Sequence, residues 1–373
     1  MDMFSNTKLF LKNLPGKKTS RKIVVIHVDD YGSIRMKDKA AQEALRKAGF
    51  PISSRYSKFE TLASTEDLEM LFEVLTSVKD SNGHYACFTP FANVANPDFE
   101  KIRESNFSQY YRQPFTETLK KYGPAYEGAY ELWKQGISED IFHPEYHGTE
   151  HICVRRYMKA LREGNVSSLL AFDNECFSVG CLPTDKPVAY EPSVFNIEKL
   201  EDNEFLRQAI IDGVAIFKET LGYEPRQFTP GNGIHSPALH KTLKENGIKY
   251  IDVQRFTKWP LGDGKYKKEF VYTGKENAFG QKYVIRNCVF EPYIDKGQRN
   301  EAAVRICMDN VAAAFKFHNP AIISTHRVNF VGELEKEHRN DSLQQLKFLL
   351  HEIVKCWPDV EFMNSSDMLD QIL

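Results

Sequence analysis

Two adjacent carboxylates stand at the end of the run Ile23-Val24-Val25-Ile26-His27-Val28-Asp29-Asp30-Tyr31-Gly32. Ionised side by side, they repel each other, and burying them costs more unless a cation or hydrogen bonds compensate. A pair at the end of an apolar segment points to metal-assisted chemistry, one carboxylate holding the cation and the other acting as base. A helix cap after a strand accounts for the pair equally, since Asp caps helices well. A second cluster, His143-Pro144-Glu145-Tyr146-His147-Gly148-Thr149-Glu150-His151, holds three of the 11 histidines. His147 and His151 are four residues apart, and on a helix that spacing turns both imidazoles to one cation. His143 has the same spacing to His147, but Pro144 and Gly148 break a helix across that span. Three surface histidines in a loop are the plain alternative.

Two further segments end in the same manner. Pro225-Arg226-Gln227-Phe228-Thr229 leads into the tight loop Pro230-Gly231-Asn232-Gly233. Its glycines let backbone amides approach a ligand and stabilise an oxyanion, although an ordinary strand–helix turn has the same composition. Ala321-Ile322-Ile323-Ser324-Thr325-His326-Arg327 is again an apolar run that ends in ionisable groups. His27 lies one alternation step before Asp29, so it shares that face deeper in the fold and reads as a satisfied core histidine.

Apolar β-branched runs and helical periodicities alternate along the chain, and that alternation must position these groups. Strands are expected at Ile23–Val28, His84–Phe91, Ile141–His143, Gln227–Pro230, Ile248–Val253, Ala321–Thr325 and Val360–Met363. Helices are expected at Met36–Ala48, Thr65–Val78, Pro97–Glu104, Thr116–Gln135, Glu150–Arg162, Ile197–Leu221, Pro237–Asn246, Glu301–Phe317, Leu334–Cys356 and Ser366–Ile372. Such alternation specifies an α/β fold with a parallel sheet, open or closed into a barrel, whose strand ends face the site. Residues 1–21 read as an N-terminal extension and 22–373 as one domain. The stretches at about 164–196 and 255–293 fit the alternation least and read as insertions at the mouth of the site, with Phe270–Tyr272 and Lys282–Phe290 as a hairpin or small sheet.

Taken in order, these segments resemble the NodB-like polysaccharide deacetylases of carbohydrate esterase family 4. That family has a Thr-Phe-Asp-Asp-Gly strand end, a His-(Ser/Thr)-x-x-His motif, an Arg-Pro-Pro-Tyr loop and a late Leu-x-His. Val28-Asp29-Asp30-Tyr31-Gly32, His147-Gly148-Thr149-Glu150-His151, Phe228-Thr229-Pro230-Gly231-Asn232-Gly233 and Ser324-Thr325-His326 are similar to the four in turn. The resemblance implies a distorted (β/α)7 barrel and a metal-dependent hydrolase that removes an acetyl group from a carbohydrate. It implies Asp29 as base, Asp30, His147 and His151 as metal ligands, and His326 as the acid for the leaving group. It also implies an oxyanion pocket at Pro230 and the backbone N–H near Asn232. The cation would be divalent, Zn first, with Co, Ni, Mn or Fe compatible. Two departures stand out: Thr229 replaces the arginine that orients the base, and Gly148 replaces the usual hydroxyl. Arg226 or Arg327 are the candidates for the missing charge, Arg327 preferred because it adjoins His326.

Other readings stay open on these residues. A two-His-one-carboxylate iron enzyme uses the same ligand types, and a barrel that binds glycans without turnover would tolerate Thr229 and Gly148. Bulk composition narrows the field. The chain has 373 residues, 42% hydrophobic and 12% aromatic, which allows a sizeable core. A formal net charge of −2 gives no footprint for nucleic acid or an anionic membrane. No apolar run approaches a membrane span. Leu9-Phe10-Leu11 has no continuous apolar stretch or cleavage site around it, so no signal peptide is visible. An odd count of seven cysteines without a Cys-x-x-Cys pair indicates buried thiols in a reducing compartment, and the expected location is the cytoplasm. The oligomeric state is not encoded in any of these patterns.

Overall fold

The run Lys22–Tyr31 forms the central strand, β1, and its side chains from Ile23 to Val28 are buried on both faces. Burial on both sides is what a continuous Val/Ile run specifies in a parallel sheet covered by helices. The computed structural model describes residues 12–189 and 191–373. Eight further strands join β1: β2 (Phe88–Asn93), β3 (Glu145–Gly148), β4 (Gln227–Phe228), β5 (Tyr250–Asp252), β6 (Lys282–Val284), β7 (Cys288–Val289), β8 (Ala321–His326) and β9 (Val360–Phe362). Every pairing among them is parallel, in the order β6-β5-β4-β3-β2-β1-β8-β7, with β9 beside the start of β1. Helices such as Thr65–Thr76, Asp202–Leu221, Ala303–Lys316 and Lys336–Cys356 connect the strands and cover the sheet. The parallel α/β alternation expected from the sequence is what the chain adopts.

The two ends of the strand order are consecutive in sequence. Only Ile285, Arg286 and Asn287 separate β6 from β7, yet these strands sit at opposite edges. This short segment curls the sheet by bridging its own edges. On one side the Val253 N–H donates to the Val284 carbonyl at 3.1 Å. On the other, the N–H groups of Asn287 and Phe290 donate to the carbonyls of Ile322 and Ser324, at 3.2 and 2.9 Å. The Asn287 side chain completes the seam, accepting from the Ile322 N–H (2.8 Å) and donating to the Pro320 carbonyl (2.9 Å). The strand ends of β1, β5 and β8 thereby converge.

Several elements differ from expectation. The stretch at 255–293 is not one insertion: Phe256–Gly262 and Lys265–Phe270 form a separate antiparallel hairpin, while β6 and β7 belong to the main sheet. Strands of three and two residues are too short for their pattern to show which sheet they join. The helix expected over Thr116–Gln135 is divided into Phe115–Lys121 and Ala129–Ser138. Gly123 and Gly128 between them take φ of 90° and 88°, outside the helical region. The stretch around 164–196 contains the helix Val166–Asp173. Residues 1–11, with Leu9-Phe10-Leu11, lie outside the described residues. Cys87, Cys153, Cys176, Cys288 and Cys307 are buried free thiols, as expected. Among the described residues no helix is long and apolar enough to cross a membrane.

Candidate active site

Adjacent residues on a regular strand point to opposite faces, so Asp29 and Asp30 could not share a site without a break in β1. The break is present. The β1–β2 register shifts between Val28 and Tyr31, and Asp30 takes a left-handed φ of 77°. Both carboxylates therefore line one cavity of about 790 Å³ at the strand ends. Asp tolerates the left-handed region better than most residues, but a strained backbone inside a central strand is the kind of feature that clusters at functional sites. Gly32 follows, also at positive φ, where an added Cβ would lie 2.2 Å from the Asn93 carbonyl oxygen. That approach excludes any other residue and fixes the exit of the strand.

The two histidines reach Asp30 by a different route from the one expected. His147 is on β3 and His151 lies in the turn before the helix Val154–Arg162, so no shared helix face brings them together. The turn is made by Gly148 at φ +138°, with the Phe195 ring 3.1 Å from where a Cβ would be. The glycine that replaces the usual hydroxyl residue is thus a conformational requirement of this turn. The Nε2 atoms of His147 and His151 lie 3.3 and 3.0 Å from the same Asp30 oxygen, and one donor atom from each of the three residues falls within 4.8 Å of the others.

This donor set fits a divalent cation. The His147 Nδ1–H donates to the Thr229 carbonyl at 2.7 Å, which leaves Nε2 directed at Asp30. That buried nitrogen has no hydrogen-bond partner. A lone pair facing a carboxylate is repulsive unless a cation stands between them. Burial pushes the His151 imidazole below its ordinary pKa against the pull of Asp30, which favours the neutral, ligating form.

Asp29 is held by Arg286, at the seam between β6 and β7. The guanidinium donates to both carboxylate oxygens of Asp29 at 2.7 Å each, and its Nε–H donates to Asp252 at 2.5 Å. Burial alone would raise Asp29, but the charge and hydrogen bonds of Arg286 override it and bring the carboxyl down to about 2. Asp252, at the end of β5, is anchored in turn by the buried His27, whose Nδ1 is 3.2 Å from it and whose Nε2 bonds Ser365. His27 is the satisfied core histidine its spacing indicates. The expected role of Arg327 is corrected: it is fully buried and donates to the Ser33 carbonyl and Glu60, while Arg226 pairs with Asp367 and Asp370. Neither takes the place of the absent arginine.

His326, at the end of β8, faces Asp29 across 3.8 Å. Its Nδ1–H donates to Glu291 at 2.6 Å, and Arg55 and Asn329 hold the other oxygen of that carboxylate. Burial would lower the imidazole, but Glu291 reverses this and raises it to about 9. His326 is accordingly a cation at neutral pH, with Nε2 open to the cavity side. The Pro230–Gly233 loop closes another wall: Pro230 and Asn232 line the cavity, Asn232 is at φ 57°, and a Cβ on Gly231 would lie 3.4 Å from His151 Nε2. Backbone thus passes directly beside the histidine pair. The structure brings Asp29, Asp30, His147, His151, Pro230, Asn232 and His326 to one cavity and leaves Arg327 outside it. Arg286 and Glu291 were not identified from sequence, although Glu291 repeats the pattern of an apolar strand ending in a carboxylate.

No protein-family model matches the chain, and no curated protein matches it. Solved structures do. A protein of Mycobacterium smegmatis assigned as a polysaccharide deacetylase is 12% identical, with 96% of this chain and 91% of that chain covered and a TM-score of 0.45. One of Pseudomonas aeruginosa PAO1 with the same assignment is 10% identical, covering 94% and 91%, at a TM-score of 0.46. The allantoinase PuuE is 12% identical, covering 96% and 92%, at 0.48. The solved structures similar to this chain thus include polysaccharide deacetylases, at low sequence identity.

Proposed function

We propose that the protein is a metal-dependent hydrolase that removes an acetyl group from a carbohydrate, built on a distorted barrel of the (β/α)7 kind. One observation carries this reading: a buried Asp-His-His donor set stands beside a second carboxylate clamped by arginine and opposite a histidine held as a cation. Asp30, His147 and His151 would hold a divalent cation, Zn first. When bound, it supplies Lewis acidity, polarising an acyl carbonyl and making water a stronger acid.

The chain's own groups divide the remaining work. Asp29, ionised at any physiological pH and fixed by Arg286, orients the attacking water and accepts its proton. His326 carries the proton that the departing amine or alkoxide needs, and Glu291 keeps it charged until transfer. Backbone N–H groups at the Gly231–Asn232 turn, which lies beside His151, would bond the oxygen that gains charge as the carbonyl is attacked. Gly231 has no side chain to block that approach.

The test is metal analysis joined to acetate release. Purified protein loaded with Zn should contain one equivalent and release acetate from acetylated amino sugars or acetylated oligosaccharides, and His147→Ala/His151→Ala should lose both properties. Protein that stays metal-free under saturating Zn, or that releases acetate equally well without those histidines, refutes the proposal.

A further inference from the structure

The charges that line the cavity do not balance around its chemistry. Its carboxylates are Asp29, Asp30 and Asp252, all engaged by Arg286 or by the histidine pair. Arg35, another lining residue, is paired with Glu60 at 3.2 Å. Two lining cations are left over, Lys12 and Arg255. Among the described residues neither side chain has an ion-pair or hydrogen-bond partner, and Nη1 of Arg255 is buried without one. The guanidinium has an aromatic neighbour only, with its carbon 6.0 Å from the centroid of the Phe270 ring. Both residues also line a smaller adjoining cavity beside Ile285 and Asn287, so they share one wall.

The fold holds this wall deliberately. Asn13 is buried against the seam, where its carbonyl accepts from Asn319 (2.7 Å) and its side chain accepts from Asn287 (3.1 Å), and this fixes the preceding Lys12. Arg255 follows Asp252 by three residues, in the loop at the strand-end face. Burial lowers the Lys12 ammonium, Cys288 opposing and Arg255 adding to the fall; burial also lowers Arg255. Two cations brought together without an anion pay a cost that an anionic ligand would remove.

We propose that the cavity accepts an acylated substrate carrying an anionic group, a carboxylate or a phosphate, which Lys12 and Arg255 bind while its acyl group lies at Asp30, His147 and His151. This substrate class rests on the hydrolase reading above. It also gives the segment before β1 a function in substrate recognition.

Three probes test it on the full-length Zn-loaded protein: N-acetylglucosamine, its 6-phosphate, and N-acetylmuramic acid, which carries a carboxylate. Binding is followed by calorimetry and turnover by acetate release. One charge-assisted contact gives roughly tenfold in affinity, so at least one anionic probe should bind about tenfold or more tightly than the neutral sugar. That advantage should shrink as salt is added. Lys12→Gln with Arg255→Gln should bring the anionic-to-neutral ratio close to one. The single Lys12→Gln change, which should lower the ratio part-way, covers the case in which the double variant fails to fold. Whether the phosphate or the carboxylate has the larger advantage identifies the anion. Equal binding of all three probes, no binding of any, or a ratio unchanged in the variants overturns the inference. Acetate release without an anionic preference sinks the anion site alone; a preference in binding that depends on Lys12 without acetate release sinks only the hydrolase reading.

Discussion

At the scale of single residues, the decisive contact is the fork between Arg286 and Asp29. A lysine cannot reproduce two parallel hydrogen bonds in a fixed plane. Arg286→Lys is therefore expected to lower acetate release by about a hundredfold through misplacement of Asp29, with metal content retained. Arg327→Lys is the contrasting variant: it disturbs a buried pair with Glu60 and lowers the melting temperature, but Asp29 does not feel it. Wild-type turnover in Arg286→Lys would remove the arginine from the mechanism. A second expectation concerns His326, raised to about 9 by Glu291 against the effect of burial. A group with a raised pKa is protonated below that value, so activity should fall as pH rises through about 9. In Glu291→Gln the supporting charge is gone, and the alkaline limb of the kcat profile should move to lower pH; an unmoved limb would assign it to another group. Asp29, Asp30, His147, His151 and His326 were legible in the sequence because each sits in a short local pattern. Arg286 was not, because its partner Asp29 is 257 positions away and Ile285-Arg286-Asn287 has no pattern of its own.

At the scale of elements, irregularities in two strands do the positioning. The bulge at Asp30 turns neighbouring carboxylates to one side, and the left-handed Gly148 turn carries His151 back towards His147. Parallel alternation and the central strand could be read from β-branched runs, since burial on both faces leaves that trace. The bulge and the turn could not, because dihedral angles of single residues leave only a glycine or an aspartate as a trace. The same limit hid the sheet that β6 and β7 join, so Lys282–Phe290 read as part of an inserted hairpin or small sheet. Gly148→Ala is a direct check on the turn. Its φ and the crowding by Phe195 should cost about 1–3 kcal/mol, read from urea unfolding, together with weaker Zn binding. An alanine variant with unchanged stability and affinity would show that the turn relaxes freely.

At the scale of the whole molecule, metal binding and folding are expected to be linked. A cation that binds only the folded chain stabilises it by about 2.7 kcal/mol at a hundredfold excess over its Kd. Thermal melts should therefore shift upwards as Zn is titrated, and His147→Ala/His151→Ala should abolish the shift; a shift that survives indicates metal bound elsewhere. The seam between β6 and β7 adds a last consequence. Its residues span the two sheet edges and carry Arg286, whereas Asp30 and His147 lie on β1 and β3, in the interior of the strand order. Fluctuations that part the edges would therefore free Asp29 from Arg286 and leave the Asp30, His147 and His151 donor set intact. Loss of activity on warming should then precede loss of metal, and amide exchange at Asn287 and Phe290 should keep pace with inactivation. On the proposed function the join would act as an interlock: a chain that breathes open there would keep its metal but fall silent.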